Sequence, residues 1–188
     1  MALITGRFHS FFSRATRATF PSFATSAALV TLFAFAAAPA ARAQDSGIPV
    51  GSKAPSAVLE TLDGKPADLS AWIGKEPVFL EFWATWCPNC RQLEPQLLAL
   101  QKQYAGRVRF AGIAVSVNQS PELVKRYVAQ HGLQGEQLYD RKGFLSDAYE
   151  VPATSYVVVI NAKGVVVYTG VGGKQDLAAA IAKAFARE

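Results

Sequence analysis

Cysteine is nearly absent from this chain. There are two in 188 residues, Cys87 and Cys90, so no framework of disulfides holds the fold together. Metal ligands of other kinds are as scarce: Met1 is the single methionine, and the two histidines are His9 and His131. A tetrahedral zinc site wants about four ligands, and the chain has few to offer. Long basic runs, aromatic residues interleaved with basic ones, internal repeats, low-complexity tracts and interior linkers are also missing. Acidic residues are lacking from positions 1–43, which carry Arg7, Arg14, Arg17 and Arg42.

That acid-free beginning has an order. Arginines come first, then an apolar run from Phe23 to Ala38, then Ala41-Arg42-Ala43, an A-x-A cleavage pattern. This is the plan of a secretory signal peptide over residues 1–43, cleaved before Gln44. Two alternatives stay open. An Arg- and Ser-rich start also suits an organelle transit peptide, and an uncleaved run only slightly short of a spanning helix would anchor the chain in a membrane. Without the leader the basic residues number 15 against 14 acidic ones. The formal charge of +5 therefore belongs to the leader, and nucleic acid is not expected as a partner.

The remaining residues suffice for one domain with a real core. Residues 44–56, with Pro49 and Pro55, read as an extended lead-in to a domain over 57–188. Ala57–Leu69 alternates around Asp63-Gly64, a hairpin signal. Pro77–Trp83 is an apolar, aromatic-rich strand, and a helical pattern through Leu93, Leu97, Leu98 and Leu100 follows the cysteines. Val108–Val117 is a second buried strand. Ser120-Pro121-Glu122 opens a helix that closes at His131-Gly132. A short helix over Phe144–Tyr149, strands Tyr156–Ile160 and Val165–Thr169, and a helix over Asp176–Ala186 complete the order. Hairpin, β-α-β-α, then β-β-α predicts an α/β domain: a mixed central sheet flanked by helices on both faces.

Two thiols three residues apart could be a redox pair, half of a metal site or a staple. As a staple they are poorly placed, since a ring of four residues constrains the unfolded chain little. Haem attachment needs a histidine after the second cysteine, where Arg91 stands. A peroxidatic T-x-x-C setting needs threonine at 84, where Ala84 stands. The strand-end position suggests an exposed Cys87, with Cys90 in the first helical turn. There the unpaired N–H groups and the helix dipole favour a thiolate, and Pro88 suits the first turn. An exposed nucleophile beside a shielded resolving thiol is what thiol–disulfide exchange requires.

The stretch Phe82-Trp83-Ala84-Thr85-Trp86-Cys87-Pro88-Asn89-Cys90, with Pro95 five residues on, resembles the thioredoxin superfamily. With the leader, the preceding hairpin and Tyr149-x-Val151, it is similar to the extracytoplasmic branch typified by the TlpA and ResA thiol–disulfide oxidoreductases. The resemblance covers about residues 50–186 and implies a thioredoxin fold. It implies a redox-active Cys87–Cys90 disulfide and no cofactor, because the electrons reside on the cysteines. Protein thiols and disulfides are the implied substrates of a monomer, with a membrane thiol reductase as electron donor. It also implies a proton-handling acid at Glu81, six residues before Cys87, where burial would raise the carboxyl pKa. Trp86, Pro88, Thr154 and Ser155 fall at substrate-docking positions, and Pro95 at the family's helix-bending proline.

This sequence departs from the branch in two places. Leu93 stands where the branch often has a glutamate; Glu94 is one place on, about 100° round the helix, and is expected to be exposed. Ser155 stands where the family has a cis proline, with Pro152 three residues early. Either Val151-Pro152 supplies that bond or it is lost; a cis bond before Ser155 would cost roughly 2.5–4 kcal/mol. Because the family's proline keeps metals off the thiolates, its loss raises an alternative. The same cysteines could serve an extracytoplasmic copper-binding and delivery module, although the loop carries no histidine to help.

Overall fold

The computed structural model describes residues 47–186; the leader lies outside them. Seven strands form one sheet in the order β2-β1-β5-β4-β3-β6-β7. They are β1 (Val58–Thr61), β2 (Pro66–Asp68), β3 (Val78–Trp83), β4 (Arg109–Val115), β5 (Glu136–Asp140), β6 (Tyr156–Ile160) and β7 (Val166–Val171). β3, β4 and β5 run parallel, whereas β6, β7, β1 and β2 are added antiparallel. The helices are α1 (Pro88–Gln103), α2 (Pro121–His131), α3 (Phe144–Ala148) and α4 (Leu177–Ala182). α4 passes into one 3-10 turn, Lys183–Phe185, and so is shorter than its apolar pattern suggests.

Alternation along β3 sorts the core into two layers. Val78, Leu80 and Phe82 join Leu145 and Tyr149, from α3 and its end, and Leu69 from a 3-10 turn after β2. Phe79 faces the other way, against Leu93 and Leu100 of α1 and Leu177 and Ile181 of α4. Trp83 lies on that second face too, with both cysteines and Val124 of α2. Neither face of β3 meets water, which is why the strand reads as an almost unbroken apolar run.

β5 is absent from the sequence-based order. Its residues, Glu-Gln-Leu-Tyr-Asp, show neither a clean alternation nor an apolar run, and only Leu138, Tyr139 and Asp140 are buried. Pairing on both sides, with β4 and β1, makes it a strand. The lead-in is also more than a loose extension. Ile48 N–H bonds to the Tyr149 carbonyl, and residues 51–54 exchange hydrogen bonds with Gly164 and Val166 at the start of β7.

Candidate functional site

A four-residue turn, Ala84 to Cys87, carries the chain from the end of β3 to the start of α1, and Cys87 is its last residue. Its backbone is extended (φ −82°, ψ 110°), and its sulfur caps the helix, accepting the Cys90 N–H at 3.1 Å. Pro88, in the first turn, has no N–H to leave unpaired. Cys90, one turn in, is joined to Cys87 by a disulfide with Cα atoms 5.4 Å apart. The chain's two thiols therefore share the positive end of one helix, where negative charge on Cys87 is best accommodated.

Exposure does not separate the two sulfurs as expected. Cys87 is 2% exposed and Cys90 4%. The helix cap is the cause: it turns Cys87 Sγ back over the first helical turn. The surface here is made by the exposed Pro88 and Asn89 and by Trp86, at 45%, whose indole N–H donates to the Val117 carbonyl at 2.9 Å. The Thr85 N–H is held by Gln119 Oε1 at 2.9 Å, and Tyr139 Oη in turn donates to the Gln119 carbonyl. Gln119 thus steadies the turn before Cys87, a role with no local sequence signal.

Glu81 is buried at 7% exposure, with its Oε1 unpaired to any protein group. Burial, reinforced by the negative charge of Glu94, pushes its carboxyl up to about 8. It lines a cavity of about 20 Å³ together with Trp83, Cys90, Glu94, Gln101, Gly112 and Gln137. Trp83 Nε1, Gln101 Oε1 and Gln137 Oε1 are likewise buried without protein partners. One water needs roughly 10–15 Å³ and two to four polar contacts, so this seam has the room and the polar groups to take one. Gly112, opposite Glu81 in the β3–β4 register, makes the room: a Cβ there would collide with Gln137 Oε1 and Trp83 Nε1.

Glu94 is not the exposed residue its helical position suggested. Its side chain is 18% exposed, because α2 packs over it. Tyr127 Oη donates to Glu94 Oε1 at 2.8 Å, and His131 Nδ1 pairs with Oε2 at 3.0 Å. His131 does end α2, but its ring serves α1. Leu93 is buried against the sheet, and α1 continues through Pro95 to Gln103.

No peptide bond among the described residues is cis, so Pro152 does not supply one. Ser155 is fully buried, with a left-handed φ of 64°. Its N–H donates to the Phe82 carbonyl, its Oγ accepts the Gly172 N–H, and its carbonyl accepts from Gln175 Nε2. These groups are bonded within the chain, so Ser155 lies beneath the surface of the loop before β6. Thr154 is half-buried, whereas Pro88, Pro152 and Ala153 are exposed. Gly172, at φ 99°, and Gly173, packed on Gln92 of α1, place the loop after β7 beside that helix.

The Redoxin family model matches residues 49–184. Among curated proteins, the chain is 33% identical to the thioredoxin-like protein YneN of Bacillus subtilis, over 71% of this chain and 79% of that one. It is also 33% identical to the thiol-disulfide oxidoreductase ResA of Halalkalibacterium halodurans, over 67% and 70%. Among solved structures, a thiol:disulfide interchange protein of the thioredoxin family from Chlorobium tepidum superposes with a TM-score of 0.63. It is 28% identical, over 74% of this chain and 99% of that one. A secreted Mycobacterium tuberculosis disulfide oxidoreductase homologous to E. coli DsbE gives 0.58, at 28% identity over 67% and 94%.

Proposed function

The chain belongs to the Redoxin family, and from that premise we propose that it is a thiol–disulfide oxidoreductase in which partner proteins exchange electrons with Cys87 and Cys90. The observation that carries this reading is the Cys87–Cys90 disulfide at the start of α1. In the oxidised form a partner thiolate attacks Cys87 Sγ. The Cys87–Cys90 bond breaks, and Cys90 leaves with the electron pair while a mixed disulfide forms on Cys87. Glu81 gives its proton to the Cys90 thiolate. A second partner thiolate then attacks the partner sulfur of the mixed disulfide, and Cys87 departs as a thiolate facing the helix N-terminus. Two electrons have moved from partner to chain. Run backwards, Cys90 is the resolving thiol and Glu81 takes its proton.

An acid whose carboxyl burial pushes up to about 8 holds its proton at neutral pH and lies near enough to its midpoint to give that proton up or take it back. Trp86, Pro88 and the exposed Pro152 and Ala153 form the surface on which partners dock. An extracytoplasmic setting is supported by the leader in the sequence and by similarity to a secreted oxidoreductase. No helix among the described residues is long and apolar enough to cross a membrane. A membrane thiol reductase is the electron donor in this reading, and the chain acts as a monomer.

A glutathione redox titration of the protein, with Cys87→Ser and Cys90→Ser controls, tests the exchange. A single two-electron transition is expected, lost in both variants. A Cys87→Ser protein that still reduced a disulfide substrate would sink the mechanism. For the proton role, Glu81→Ala is expected to slow exchange near neutral pH more than Glu94→Ala in stopped flow. Equal, small effects would remove it.

A further inference from the structure

The exchange steps leave unused a cluster at the margin of the Glu81 cavity. Glu94 of α1 is gripped from α2 by Tyr127 Oη at 2.8 Å and His131 Nδ1 at 3.0 Å. The His131 ring stacks on Tyr127 with centroids 3.8 Å apart, and Tyr127 packs on Trp83. The carboxylate is therefore held in place against the cavity that it lines with Glu81 and Cys90. The groups around it are few. α2 contributes Tyr127 and His131, α1 contributes Cys90 and Arg91, and β3 contributes Glu81, while β5 and the turn before it bring only the neutral Gln137 and Gln134.

We propose that Glu94, clamped by Tyr127 and His131, is a positioning residue of the exchange reaction: its fixed charge acts across the cavity on Glu81 and sets the pH range over which Glu81 holds a proton for Cys90. The proposal rests on the proton role given to Glu81. Two carboxylates on one small cavity do not both ionise freely. Glu94 has two polar contacts for its charge, whereas Glu81 Oε1 has none from the protein, so the constraint falls on Glu81. The direction agrees: burial first, then Glu94, raises the Glu81 carboxyl. His131 acts one step further out, by holding Glu94 where its charge is felt.

The test uses the full chain and follows reduction of Cys87–Cys90 by dithiothreitol in stopped flow between pH 5 and 10. Dividing each rate by that of Glu81→Gln at the same pH cancels the ionisation of the dithiol. The ratio is expected to fall through about pH 8 in the unaltered protein. In Glu94→Gln the fall should move down by roughly one unit. His131→Ala should move it the same way, His131→Gln should restore it through an amide donor, and His131→Ala should add nothing once Glu94 is Gln. A midpoint unmoved by Glu94→Gln overturns the proposal. So does a His131→Ala shift that persists undiminished in Glu94→Gln. A ratio flat with pH in the unaltered protein removes the Glu81 role and this proposal with it.

Discussion

Ser155 shows how far one residue can depart from its family position and still be well supported. A proline is expected there by resemblance, yet the residue sits at φ 64° and donates its N–H to Phe82. Proline is confined near −65° and has no N–H. Installing the family residue by Ser155→Pro is therefore expected to destabilise the protein by about 3 kcal/mol or more, seen as a lower urea midpoint. Ser155→Gly should stay within about 1 kcal/mol, because relief of the left-handed conformation offsets the lost Oγ acceptor. A proline variant as stable as the unaltered protein would contradict the bonding assigned to this loop. The sequence could place Ser155 in the loop before β6 but could not show its burial. That comes from Gly172 and Gln175, 17 and 20 residues away.

At the scale of elements, legibility followed how local the cause was. α2 was readable end to end, because Ser120 caps it through its own hydroxyl and Gly132 closes it at φ 63°. β3 and β6, buried on both faces, announce themselves as apolar runs. The cysteine pair was legible for the same reason, lying where a strand meets a helix start. β5 was not, since its strand character comes from its neighbours, and with it went Gln137 and the polar seam beside Glu81. The expected exposure of Glu94 failed likewise, because α2 covers it and helical phase alone says nothing of a second helix. The seam depends on β4 carrying no side chain at Gly112. Gly112→Ala should force Gln137 and Trp83 apart and cost about 1–3 kcal/mol as an overpacked site. It should also slow disulfide reduction more than an alanine placed at the exposed Gln92. A variant of unchanged stability and rate would show that the seam yields without consequence.

For the whole molecule, the buried acid makes global stability depend on pH in a defined direction. The Glu81 carboxyl lies at about 8 in the folded chain, against an ordinary value of 4.5. Below both values the folded and unfolded states are protonated alike, and the group contributes no difference. Between them the unfolded chain releases the proton that the folded chain keeps, so rising pH favours unfolding. Above about 8 both states are ionised and the penalty stops growing. Glu81→Gln cannot titrate, so the oxidised protein and this variant should diverge through that window in urea unfolding. By pH 7 the variant should have gained on the order of a few kcal/mol, at about 1.4 kcal/mol per unit, and the gap should close below about pH 4.5. The same property that keeps a proton ready beside Cys90 thus lowers the stability of the fold at neutral pH. A gap that ran the other way, with the unaltered protein gaining on Glu81→Gln as pH rises, would mean that Glu81 is ionised in the native state. It could not then be the acid that protonates the leaving thiolate.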